Sequence, residues 1–224
     1  MSSSAIFVPV NVVHRLAVAV RLFDIFTGET VRTPMTLAIP ELRARAFRAS
    51  DNTYRFQFTN RDVPSGGPFT LTIEVPSGEY ESREPTQVPS LPIVVGHPPP
   101  VIRPDYLLEF PMWPTRAHKL PAAETAVVGR VISAGATDVT SLRVFLFEPP
   151  GPPPATPYAY TNGNGEFLFR LPQLHAHMSG TVPVLTATLD IEIRDAANAV
   201  VAPVVPASVV ADLGRTTLFE FNVP

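Results

Sequence analysis

The sequence predicts an all-β protein built as two β-sandwich domains. Three observations predict it. Apolar residues alternate with polar ones along many short runs, which is the period-two pattern of half-buried strands. Proline is abundant, 27 of 224 residues, and proline is excluded from helix interiors and from central strands. Short strand-like runs recur between Gly- and Pro-rich turns, the spacing expected of sandwiches rather than of βαβ units.

The N-terminal elements follow in order. Residues 17–23 are apolar on both faces except Arg21, which suits a buried strand. Met35, Leu37 and Ile39 mark the next. Residues 40–50 fit a short helix by composition and a strand by alternation, with Leu42, Ala44 and Ala46 opposite Arg43 and Arg45. Residues 54–58 point their aromatics to one side. Phe69, Leu71, Ile73 and Val75 share a face opposite Thr70, Thr72 and Glu74. Thr27-Gly28 and Ser65-Gly66-Gly67 are turn signals.

The C-terminal half repeats the pattern. Residues 127–132 and 142–147 are strand-like. Phe167, Phe169 and Leu171 share a face, as do Leu185, Ala187, Leu189, Ile191 and Ile193. Thr217, Phe219, Phe221 and Val223 form a last strand, and residues 196–211 read as a strand plus a proline-rich loop. The expected division is an N-terminal sandwich over 1–88, a proline-rich connector over 89–121 and a C-terminal sandwich over 122–224. The connector should be stiff and extended. Short segments echo each other between the halves at offsets of 110 to 118 residues, as in residues 54–58 and 167–171, which suits tandem β domains.

Composition excludes several function classes. There is no cysteine, so disulfide scaffolds, thiolate zinc sites and cysteine nucleophiles are out. Lys and Arg number 17 against 20 Asp and Glu, a net charge of -3, which argues against general nucleic-acid binding. The N-terminus lacks the basic region and cleavage site of a signal peptide, so a cytoplasmic protein, or part of a particle assembled there, is expected. No Gly-x-Ser-x-Gly elbow and no phosphate-binding glycine loop occurs. We expect no catalytic residues, no cofactor and no metal.

His175 and His177 would share a strand face, but the sequence points to no third ligand. Asn162-Gly-Asn-Gly-Glu166 has too few oxygen ligands for a calcium loop and reads as a turn. Asp190, Glu192 and Asp195 read as a solvated strand face. The proline-rich run 149–157 reads as a stiff loop between strands. The connector carries Tyr106, Phe110, Met112 and Trp113, apolar enough to pack on a domain or a partner, and these are candidate interface anchors. Arg43, Arg45 and Arg48 are candidates for contacting acidic patches on another protein.

Gly129-Arg-Val131, the strand around Leu142-Arg-Val-Phe-Leu146 and the turn Thr161-Asn-Gly-Asn-Gly-Glu-Phe167 resemble the carboxypeptidase regulatory-like, or transthyretin-like, β-sandwich. Asn162 stands where that family has aspartate. Gly163 and Gly165 are expected at positive φ, with Phe167 in the core. The family's Pro-Leu-x-Gly-Ala and Gly-x-Tyr signals are missing. The resemblance spans about residues 125–195 and implies an accessory module. Two β domains joined by a segment such as Phe110-Pro-Met-Trp-Pro-Thr-Arg also resemble cap or cap-adaptor proteins of contractile, phage-tail-like injection systems. That resemblance implies a non-enzymatic adaptor with other protein subunits as partners and a threefold or sixfold ring, without nucleic acid or membrane insertion. The alternative is a glycan- or cell-surface-binding sandwich.

Overall fold

A computed structural model describes residues 14–59, 68–83, 87–88, 107–135, 137–154, 157–179, 181–201 and 204–224. Side chains of residues 14–17, 58–59 and 87–88 lie outside that description. The described residues are all-β, as the sequence predicts. The first strands are β1 (His14–Asp24), β2 (Thr36–Ile39), β3 (Ala44–Arg45), β4 (Phe47–Arg48), β5 (Tyr54–Thr59), β6 (Phe69–Thr70) and β7 (Thr72–Glu74). Then follow β8 (Tyr80–Glu81), β9 (Gln87–Val88), β10 (Leu107–Pro114), β11 (Thr125–Ser133), β12 (Arg143–Phe147) and β13 (Ala159–Tyr160). The last are β14 (Glu166–Leu171), β15 (His177–Ser179), β16 (Val182–Val184), β17 (Thr186–Arg194), β18 (Ser208–Asp212) and β19 (Thr216–Val223).

The chain forms two compact units that interleave in sequence. Unit 1 comprises 1–21, 35–74 and 85–110; unit 2 comprises 22–34, 75–84 and 111–224. The sequence reading placed 22–34 and 75–84 in the N-terminal domain. In the structure these segments carry side chains of the unit 2 interior, among them Asp24, Phe26 and Tyr80. Of the expected connector, 89–106 lie outside the described residues and 107–114 form β10.

In unit 1, β5 pairs antiparallel with β1 and β4, while β2 pairs with β3 and β7. Alternation selects the core: Val18 and Val20 from β1, Leu37 and Ile39 from β2, Tyr54 and Phe56 from β5, and Leu71 are buried. The Tyr54 hydroxyl accepts a hydrogen bond from the Met35 backbone N–H at 2.9 Å, so its buried polar tip is satisfied. Both readings of 40–50 left a trace. Pro40–Leu42 form one 3-10 turn, and Ala44–Arg45 and Phe47–Arg48 are strands. Pro40 starts the turn, and Arg43, at φ 51, ends it.

Among the described residues, the core of unit 2 is a sandwich of two sheets with seven strands between them. One sheet has the order β14-β11-β19, with β19 parallel to β11; the other has β13-β12-β17-β18. Val127 and Val131, Val144 and Leu146, Phe167 and Phe169, Ile191 and Ile193, and Phe221 meet between the sheets. Gly129 sits among them because the Phe167 ring lies over it: a Cβ there would stand 2.2 Å from that ring.

The turn before β14 closes as the sequence reading expected, with one difference. Gly165 has φ +74, whereas Gly163 does not have positive φ. Asn162 Oδ1 accepts the backbone N–H groups of Asn164 and Glu166 at 2.9 and 3.0 Å. Its amide also donates to Glu166 Oε2 at 3.1 Å, a bond an aspartate could not make. The buried Thr161 hydroxyl donates to the Val139 carbonyl and accepts the Leu142 N–H.

Candidate functional site

Unit 1 presents an arginine edge. Strand β3 is the edge of the sheet containing β2 and β7, and β4 flanks β5, so residues 44–48 step from one sheet to another. The intervening Ala46 N–H donates to the Leu37 carbonyl at 2.9 Å, which carries the chain across the step. Arg43, Arg45 and Arg48 are all exposed, as is Phe47 at 44%. Arg48 reaches Asn52 Oδ1 at 2.6 Å, and Arg55 pairs with Asp51 at 2.8 Å. Hydrogen bonds from the Thr53 side chain and backbone hold the Asp51 carboxyl at about 2, below its ordinary range. The edge thus offers guanidinium groups and an apolar ring in one short segment.

The expected aromatic anchors lie elsewhere. Tyr106 is outside the described residues and Phe110 is half-buried in β10. Met112 and Trp113 are interior side chains of unit 2, 0% and 2% exposed. They are used inside the chain rather than offered to a partner. Trp113 covers the outer face of β12 and β13, packed with Phe145, Tyr158 and Tyr160. Its indole N–H donates to the Tyr158 carbonyl at 3.0 Å. Covering so large a ring while satisfying its N–H removes the cost of leaving it in water.

Around that aromatic cluster stand three guanidinium groups. Arg83 lies over Tyr160, Arg143 over Tyr158 and Arg194 over Phe145, at 5.7, 5.5 and 5.0 Å from the ring centroids. Arg83 pairs with Glu81 and Arg194 with Glu192, at 2.9 and 2.5 Å. Asp195 accepts the Ala199 N–H at 2.8 Å. Glu192 is thus taken up in a local pair and Asp195 in a turn.

Beneath the outer face of β14 is a buried ionic network that sequence reading missed. Arg170 makes a two-pronged contact to Glu124, Nε to Oε1 at 2.6 Å and Nη2 to Oε2 at 2.8 Å, and its Nη1 donates to Asp24 Oδ2. The Tyr80 hydroxyl donates to the same Asp24 oxygen at 2.9 Å. Asp24 Oδ1 accepts the backbone N–H of Phe26 at 2.9 Å and of Thr27 at 3.2 Å. Burial pushes the Tyr80 phenol well above its ordinary value, reinforced by the Asp24 charge. Burial disfavours the Arg170 charge, but its bonds to Glu124 and the Asp24 charge outweigh this and hold it firmly cationic. His118 packs edge-on against Tyr80 at 4.8 Å. Burial, then the Arg170 charge, lower its pKa. The only sequence signal was polarity inside an apolar alternation: Asp24 closes β1 and Arg170 interrupts β14.

His175 and His177 do line one cavity of about 500 Å³, together with Leu174, Val184, Thr188 and Leu213. Among the described residues, no group of three or more His, Cys, Asp or Glu is placed to hold a metal. No helix of the described residues is long and apolar enough to cross a membrane.

The fold and its surfaces define a β-sandwich protein. No protein-family model and no curated protein matches the chain. Two solved structures are similar at low level. The TIE protein of Bacillus anthracis is 8% identical, over 93% of this chain and 34% of that one, with a TM-score of 0.28. The Corynebacterium diphtheriae major pilin SpaA, whose modular pilus assembly is described with stabilizing isopeptide bonds, is 11% identical over 94% of this chain and 55% of that one, with a TM-score of 0.24. The chain thus spans about a third and about half of their lengths.

Proposed function

We propose that this protein is a non-enzymatic structural component of a multi-subunit assembly, docking through the unit 1 edge on an acidic surface of another subunit. The observation that carries it is the segment 43–48, an edge in two sheets with three exposed arginines and an exposed Phe47. Edge strands offer unpaired backbone groups to another chain. Guanidinium groups beside them select an acidic partner and speed encounter. The finer reading, a terminal cap or cap adaptor of a contractile, phage-tail-like particle, rests on the sequence resemblance and is part of the same proposal. Trp113, covered inside unit 2, presents no ring face to a sugar, which weighs against the glycan-binding alternative.

The test is purification of the tagged full chain from its native host, with mass spectrometry of what accompanies it. A defined set of subunits should co-purify with the wild type, dissociate with salt and be lost from the Arg43→Glu, Arg45→Glu, Arg48→Glu variant. Unchanged recovery with the triple variant would refute docking through this edge. Electron microscopy of the recovered particles tests the cap: density for this chain along the shaft rather than at an end would refute that position.

A further inference from the structure

The turn between β13 and β14 holds two reactive amide groups. Asn is followed by Gly at residues 162 and 164 and nowhere else in the chain. An Asn-Gly step is open to self-attack, because glycine has no Cβ to shield its backbone nitrogen from the preceding side chain. That nitrogen can reach the asparagine Cγ. By sequence the two steps are equivalent, and the structure makes them unequal. Asn162 is held: its Oδ1 accepts the backbone N–H groups of Asn164 and Glu166 at 2.9 and 3.0 Å, and its amide donates to Glu166 Oε2 at 3.1 Å. Reaction there requires the side chain to leave all three partners.

Asn164 is exposed, and its side chain makes no hydrogen bond among the described residues. Its backbone carbonyl accepts a bond from Arg130 Nε at 3.2 Å. That carbonyl and the Gly165 N–H belong to one peptide group. A guanidinium on the oxygen therefore stabilises the anion left when the nitrogen gives up its proton. The bond that opposes reaction is the one from the Gly165 N–H to the Asn162 carbonyl, 2.9 Å long, which must open first. It is a single neutral backbone bond, against the three that hold the Asn162 side chain.

We propose that Asn164 is a site of self-modification, deamidating through a succinimide while Asn162 stays intact, with Arg130 promoting the step. The Gly165 nitrogen loses its proton to hydroxide and bonds to Asn164 Cγ. The Cγ–Nδ2 bond breaks, and Nδ2 takes a proton from water and leaves as ammonia. Water then opens the ring at either carbonyl, leaving aspartate or isoaspartate at 164. Isoaspartate adds a methylene to the main chain in a turn with little slack. Gly165 is buried at φ +74, and its carbonyl accepts the Val131 N–H at 2.8 Å. This chemistry does not depend on docking through Arg43, Arg45 and Arg48.

The test incubates the folded full chain in mildly alkaline buffer and follows both residues by peptide mapping with mass spectrometry. The map places each amide-to-acid conversion and separates aspartate from isoaspartate. Asn164 should convert at least about tenfold faster than Asn162, whose side chain must first break its three bonds. In urea, where the turn is lost, the two should convert at similar rates. Arg130→Met should slow conversion at 164 in the folded chain and leave the rate at 162 unchanged. Arg130 is exposed, and an unchanged Trp113 emission spectrum will show that the variant keeps its fold. The proposal is overturned by equal rates in the folded chain, by a preference for Asn162, or by no conversion at 164. A preference for 164 that is as large in urea overturns it too, as does an Arg130→Met chain that converts Asn164 as fast as the wild type.

Discussion

Arg170 in β14 and Asp24 at the end of β1, 146 positions apart in the chain, form a buried ion pair. Glu124 grips the same guanidinium from the other side and Tyr80 the same carboxylate. One cation thus ties the segments around residues 24, 80 and 124 to the outer face of the sandwich. Each partner is taken out of water, where a charge is tolerated only when it is paired and hydrogen-bonded.

Arg170→Met should cost unit 2 about 3–5 kcal/mol, since it leaves two carboxylates buried without their cation. Arg170→Met with Glu124→Leu should recover part of that loss, because a well-packed apolar replacement removes the desolvation cost as well as the attraction. Urea unfolding followed by Trp113, the single tryptophan and a unit 2 residue, gives both values.

Trp113→Ala should destabilise unit 2 by about 3–5 kcal/mol, the range for emptying a large aromatic site in a packed interior. The hydrogen bond to the Tyr158 carbonyl is lost with it. Trp113→Phe should cost less, because much of the packing on Phe145, Tyr158 and Tyr160 survives. Circular dichroism melts of the three proteins check the order.

Three glycines should answer differently to alanine. At Gly165, φ is +74 and a Cβ would lie 2.2 Å from the Val131 carbonyl oxygen, a backbone atom, so Gly165→Ala should be the most damaging. At Gly129 the obstacle is the Phe167 ring, so Gly129→Ala should be disruptive but partly rescued by Phe167→Leu. At Gly163 nothing lies within 4 Å, and Gly163→Ala should stay within about 0.5 kcal/mol of the wild type. Thermal melts of the set rank them.

Acid should weaken unit 2 through His118. Its folded pKa lies below the ordinary value of 6.5, because of burial and then the Arg170 charge, with Asp24, Glu79 and Glu124 acting in the opposite sense. The unfolded chain therefore takes up the proton first. The histidine's contribution is constant above about 6.5 and is lost progressively below it, until the folded-state pKa is passed. Urea midpoints at several values between about pH 7.5 and 5.5 should fall more steeply for the wild type than for His118→Phe. Equal slopes would remove His118 as the cause.

The alternation of residues is what made the fold class and most of the strands legible. Phe69, Leu71 and Ile73 against Thr70, Thr72 and Glu74 specify a face wherever the strand ends up, and the Asn162–Glu166 turn is closed by its own side chain and glycine. The exposed arginines 43, 45 and 48 were legible for the same local reason. Two-residue strands such as β8 and β13 carry no period to detect, and the tripeptide strands β15 and β16 carry little more. The ionic network was hidden, because each of its members reads alone as an ordinary polar residue. Only the tertiary structure brought Asp24, Tyr80, Glu124 and Arg170 together and turned Trp113 inward. The physical reason is range: alternation and turn geometry act between near neighbours, whereas what covers a strand's second face depends on segments far away in the chain.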